Sequence, residues 1–193
     1  MRLLLTLTLA LTLFACASGP VAFEGSTPIA VRGDLPSKPP RVEVTDNKIV
    51  IHEKIQFEYD KAVIRPESDS LLAEIAQTIK DNPHIKALRI EGHASSEGAD
   101  DYNMKLSAAR AEAVKSYLVE KGGIPAEMLN PKGFGETQPI ADNSTETGKE
   151  ANRRVEFIIT KQDITTTKYE VDPKTGEKKA VETKTTTASK EAK

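Results

Sequence analysis

Tryptophan is absent from the 193 residues, cysteine occurs once and histidine three times. One cysteine cannot close an intramolecular disulfide or build a thiolate metal cluster. His52, His84 and His93 show no metal-ligand spacing, so neither a metal nor another cofactor is expected. Aromatic residues make up 5% of the chain, too few for base-stacking platforms. The formal net charge is -2, which offers no electrostatic grip on nucleic acid. Residues 3–14 form an uncharged, Leu-rich run, but as a helix they would span roughly 18 Å, short of a ~30 Å bilayer core.

What is present begins with that run. It follows Arg2, as the apolar core of an export signal follows a positive charge. It ends in Leu13-Phe14-Ala15-Cys16, which resembles a bacterial lipobox: Leu three residues before the cysteine and a small residue just before it. Phe14 is bulkier than the residues usual there. The resemblance implies that residues 1–15 are removed and that Cys16 carries diacylglycerol on sulfur as an acylated N-terminus. Each buried methylene adds about 0.8 kcal/mol, so several acyl chains make release slow. The alternative is an ordinary signal peptide with a chance cysteine. Ala17, by the same resemblance, points to the outer membrane. Residues 16–40 include Pro20, Pro28, Pro36, Pro39 and Pro40 and few large apolar side chains, which reads as a flexible spacer.

Residues 41–161 carry the apolar periodicities of one folded domain, a common size. Val42 and Val44 alternate with polar residues; after a turn at Asp46-Asn47, Ile49, Ile51, Ile55 and Phe57 suggest further strand, interrupted near Glu53-Lys54. Arg65-Pro66-Glu67-Ser68 opens a helix whose inner face is Leu71, Leu72, Ile75, Ala76 and Ile79. Ile85, Leu88 and Ile90 lead a strand into Gly92-His93, and a polar loop follows to Asp101. A second helix is expected from Tyr102 to Glu120, with Leu106, Ala109, Ala113, Val114, Tyr117 and Leu118 inward. Gly122-Gly123 caps it. A short strand near residues 129–134, a loop, and an alternating strand at Val155, Phe157 and Ile159 complete the domain. The expected fold class is α+β: a two-layer sandwich in the order β-α-β-α-β-β, one mixed sheet with two main helices on one face.

Four blocks then stand in order: Ile90-Glu91-Gly92-His93; residues 103–111, Asn-Met-Lys-Leu-Ser-Ala-Ala-Arg-Ala; Gly133-Phe134-Gly135-Glu136 with Pro139; and Asn152-Arg153-Arg154-Val155-Glu156. Together they resemble the OmpA-like C-terminal domain, over about residues 48–160. That family includes peptidoglycan-associated lipoproteins (Pal) and periplasmic domains of flagellar stators. The resemblance implies non-catalytic binding to the diaminopimelate residue of the peptidoglycan stem peptide. That ligand end is zwitterionic and needs a cation for its carboxylate and an anion for its ammonium. Arg110 matches the family arginine that holds the carboxylate, a task suited to a two-pronged guanidinium. On spacing alone, Arg110 reads rather as an exposed helix residue, or as one pairing with Glu97 or Asp101, and only the motif reverses that. Asn103 and Leu106 match positions that shape the pocket, and Asp60 falls where the family often has Asp or Asn near the ligand. Arg153 either lines the site or forms a structural salt bridge.

One position departs from the pattern. The family usually reads Gly-His-Thr/Ala-Asp, and here the residues are Gly92-His93-Ala94-Ser95. Ser95 stands where an acid would face the ligand ammonium. Glu97, Asp100, Asp101 and Asp60 are the acids that could compensate. Ser95 and Ser96 lie too close in sequence to His93 to suggest a catalytic triad, which relies on spatial convergence, and His93 is expected to position the loop.

Residues 162–193 are rich in Thr, Lys and Glu, with Thr-rich flanks around Gly176. Pairing symmetric about Gly176 would oppose Lys168 to Lys184 and Glu170 to Glu182, and like charges disfavour it. The tail is expected to be disordered or a marginal hairpin. The whole reads as an outer-membrane lipoprotein, its domain facing the periplasm and tethering the membrane to peptidoglycan. The alternative is a protein-interaction module on the same fold, with other envelope proteins as partners and weak peptidoglycan binding.

Overall fold

The architecture was examined in a computed structural model, which describes residues 40–171 and 175–189. The expected signal segment, Cys16 and residues 17–39 of the spacer lie outside the described residues.

Val42–Val44 forms β1 and Lys48–Ile51 forms β2, paired antiparallel across the Asp46-Asn47 turn. β2 ends ahead of the break expected near Glu53-Lys54, and beyond it Ile55 and Phe57 form no further strand; Phe57 makes only an isolated bridge to Ile64. The backbone of Gln56 is tied elsewhere, its N–H donating to Ser68 Oγ at 2.7 Å. A 3₁₀ turn, Pro66–Ser68, leads into α1, Asp69–Asp81, and the five apolar residues expected on its inner face are buried.

Ile85–His93 is β3, Asp100–Glu120 is α2 and Leu129–Gly135 is β4. Gly123 ends α2 with φ +65, a left-handed conformation that favours glycine. The inner stripe of α2 differs from the expected one: Asn103, Ser107, Ala111, Val114 and Leu118 are buried, and Ala109 faces out. The sheet beneath explains this. Cβ atoms added to Gly92 and Gly133 would lie 2.1 Å from Ser107 O and 2.5 Å from Ala108 N. The helix backbone therefore rests on two strand glycines, where large apolar side chains have no room. Ser107 completes the contact: its hydroxyl donates to Met104 O and accepts from Gly135 N.

The segment expected as a loop contains α3, Glu146–Asn152. Seven residues with only Gly148 and Asn152 buried give no apolar period to detect. Thr145 caps it by accepting from Gly148 N at 3.0 Å. Asn152 is fully buried, and its side chain bonds the backbone of Ile140 and Ala141.

Val155–Val171 forms β5, which runs past residue 161 and pairs with β6, Lys178–Ser189. The register avoids the like-charge pairs of the symmetric arrangement. Lys168 opposes Glu182, Thr166 opposes Lys184 and Glu170 opposes Lys179, with an irregularity between Lys168 and Tyr169. The sheet order is β1-β2-β5-β3-β4, with β6 added to β5; only β3 and β4 run parallel. One core cluster joins α1 and α2 to Ile49, Leu88, Ile90, Leu129, Phe157 and Ile159. Arg89, Glu91 and Glu156 occupy alternate strand positions, Arg89 paired with Glu91 and Glu156 with Arg154 just ahead of β5.

Candidate functional site

The loop after β3, the start of α2, residues 54–60 and α3 with Arg153 enclose a cleft of about 660 Å³. Asp60, Ser95, Asn103, Leu106, Arg110 and Arg153 all line it. A second hollow, about 340 Å³, is lined by residues 48–55, Ile140, Ala151 and residues 154–156 and holds none of these six. The larger cleft is therefore the candidate site.

Tyr102, Leu106 and Arg110 follow one another at helical spacing and so share a stripe of α2. Arg110 donates from Nε to Lys61 O at 3.1 Å, and its guanidinium lies 5.2 Å from the centre of the Phe57 ring. These contacts hold the group by its inner edge. It pairs with neither Glu97 nor Asp101, and among the described residues its terminal nitrogens have no carboxylate within 4.0 Å. Burial draws its pKa down from the ordinary arginine value, while the charge of Asp60 opposes this.

Asp60 has φ 55, the positive-φ non-glycine residue among those described. It lies beside the Tyr102 hydroxyl, and interaction with its carboxylate, with burial, raises the tyrosine pKa. No cation among the described residues forms a salt bridge to Asp60.

The other acids of the cleft are engaged. Arg153 reaches Glu97 at 3.1 Å, Glu146 at 2.8 Å and Glu150 at 2.8 Å. These bonds, Glu146 foremost, hold its pKa above the ordinary value. Lys149 takes the second oxygen of Glu97 at 2.7 Å, and Lys54 bonds both the carboxylate and the backbone carbonyl of Glu150. Arg153 thus lines the cleft and forms a structural ion-pair cage at once.

Ser95 is 3% exposed. Its Oγ lies 3.5 Å from Arg153 Nη1, the outer limit of a hydrogen bond. Asn103 is a pin: Nδ2 donates to Ser95 O at 3.1 Å and to Glu136 Oε2 at 2.7 Å. It fixes the loop that carries Ser95. Leu106 is half-buried and supplies apolar wall. Sequence reasoning missed Tyr102, although its spacing to Leu106 and Arg110 was visible. It also missed Tyr59, 96% exposed at the cleft rim.

Among the described residues no cluster of His, Cys, Asp and Glu is arranged to hold a metal ion. Nor is any helix among them long and apolar enough to cross a membrane.

Comparison with known proteins sets this geometry in a family. Over 133 residues the chain is 36% identical to outer membrane porin F of Pseudomonas aeruginosa, covering 69% of this chain and 37% of that protein. Outer-membrane lipoprotein YfiB of the same species is 37% identical over 106 residues, covering 55% of this chain and 62% of YfiB. The chain thus spans about a third of the length of the porins it matches. Among solved structures, the cell wall anchor of the T6SS from P. aeruginosa superposes with a TM-score of 0.53 at 30% identity, covering 62% of this chain and 87% of that one. The pattern of the OmpA family matches residues 56–153, half of the chain, and the protein belongs to the OmpA family.

Proposed function

We propose that this protein is a non-catalytic outer-membrane lipoprotein, anchored through Cys16, whose domain binds the diaminopimelate end of the peptidoglycan stem peptide in the larger cleft. The carrying observation is Arg110: it is held through Nε and the Phe57 face, and its terminal nitrogens at the cleft pair with no carboxylate among the described residues. A ligand carboxylate would complete the fork with two parallel bonds. Similarity to an outer-membrane lipoprotein and to a cell wall anchor supports the same reading.

Ser95 offers no charge to the ligand ammonium. Glu58 already faces Lys61, and Glu97, Glu146 and Glu150 face Arg153, Lys149 or Lys54. Asp100 and Asp101 do not line the cleft. Asp60 remains, an acid that forms no salt bridge to a described cation, although its charge acts on Arg110 across the cleft. In this reading Asp60 takes the ammonium and Arg110 the carboxylate.

Co-sedimentation of the full chain, in detergent, with purified sacculi tests this. One charge-assisted hydrogen bond contributes on the order of 1.5–3 kcal/mol, so Arg110→Ala weakens binding by roughly ten- to a hundredfold. Asp60→Asn weakens it by about tenfold, and Ser95→Asp, which adds a second acid, strengthens it. No soluble muropeptides are released on incubation. Binding indifferent to Arg110→Ala would overturn this reading and favour an interaction module.

A further inference from the structure

Beyond the cleft, the C-terminal half of β5 leaves one sheet edge unpaired among the described residues. Lys161 and Gln162 pair with β3 and with β6 at once, so those two strands flank β5 on opposite sides. Pairing on the β3 side ends where Asp163 N–H donates to His84 O at 2.8 Å. Alternate residues of a strand aim their backbone at the same edge. Thr165, Thr167, Tyr169 and Val171 therefore present theirs on the side that β3 has left. This edge has no proline or glycine and is rich in β-branched residues, which makes it a template for another strand.

We propose that the occupant is β5 of a second copy, antiparallel, on a two-fold axis through Tyr169. In that register Lys168 opposes Glu170 of the second copy, and Glu170 opposes Lys168 of the second copy. Within each ribbon Lys168 already opposes Glu182, with an ion pair of 3.3 Å, and Glu170 opposes Lys179. The four-stranded junction then carries two rows of alternating sign: Glu182, Lys168, Glu170 of the second copy, Lys179 of the second copy, and the mirror row. Tyr169, 60% exposed, meets Tyr169 of the second copy on the axis. The edge is self-complementary, as a two-fold interface requires. A junction this short buries less than the roughly 1,200 Å² of stable interfaces. The dimer is therefore weak and concentration-dependent.

The test is sedimentation equilibrium of the full chain in density-matched detergent, over about 5–500 μM. The parent protein shows a monomer–dimer equilibrium. Lys168→Glu alone and Glu170→Lys alone each place like charges across the axis and weaken it by about tenfold or more. Mixing the two variants restores association, because each then meets its opposite sign. Both substitutions also disturb their own ribbon, but that effect is the same in pure and mixed samples. As a second measurement, Tyr169→Cys gives an oxidised dimer through the new sulfur and Thr165→Cys does not. A monomeric parent, mixing without recovery, or crosslinking at both positions overturns the proposal.

Discussion

His93 is 2% exposed, and neither ring nitrogen has a hydrogen-bond partner among the described residues. Its ring stacks on Phe134 at 5.4 Å, and Glu91 Oε2 stands 3.5 Å from Nε2. Burial, with the nearby charge of Arg154, pushes the imidazole pKa below its ordinary value. The unfolded chain therefore binds the proton at a higher pH than the folded one. Stability from the neutral ring is fully present above the unfolded histidine pKa of about 6.5 and is lost as pH falls from there through the folded pKa. His93→Phe keeps the stack and removes the titration. Urea midpoints at pH 8 and pH 5 should lie closer together in the variant than in the parent, and an equal drop in both would count against this account. The structural role of His93 was legible from its motif. The fate of Arg153 was not, because its three carboxylate partners come from α3 and the loop at Glu97, which only tertiary structure brings together.

At the scale of elements, α1 could be read from its period because its whole inner face meets apolar side chains. The first half of α2 could not. It packs on glycines, so its inner stripe is polar and small, and the apolar period misplaced Ala109. The same close approach gives a prediction. Gly92→Ala forces a methyl against Ser107 O and should destabilise the domain by about 3 kcal/mol, near the top of the usual overpacking range. Gly176→Ala, with nothing within 4 Å of its added carbon, loses only the cost of its positive φ, on the order of 1 kcal/mol. Comparing their urea midpoints checks the difference; equal shifts would mean that α2 does not rest on the sheet as described. The β5–β6 ribbon was obscured for another reason. Symmetry about Gly176 suggested a register with clashing charges, and the strands instead slip to one with matched charges.

For the whole molecule, the proposed function has two separable ends. Cys16→Ser should abolish palmitate labelling and remove the protein from the outer-membrane fraction of a density gradient. Sacculus binding by the purified variant should be unchanged, since no cleft residue is touched. Retained labelling would exclude the lipobox reading, and lost sacculus binding would exclude independence of the two ends. The four-block pattern made the domain and most of the cleft legible together, because Asn103, Leu106, Arg110 and Arg153 of the cleft and the contact glycines Gly92 and Gly133 lie in the same blocks. The third helix and the ribbon lay outside those blocks.

One strand joins the ribbon to the body. β5 continues without interruption from its place between β2 and β3 out to Val171. A mechanical load on the ribbon thus enters the fold at an interior strand and not at a rim. Pulled along its length, that strand loads the hydrogen bonds on both of its flanks together, in shear, where an edge strand would load those of one flank only. The arm is coupled to the domain as a tie rod is to a beam, through the member least easily peeled away.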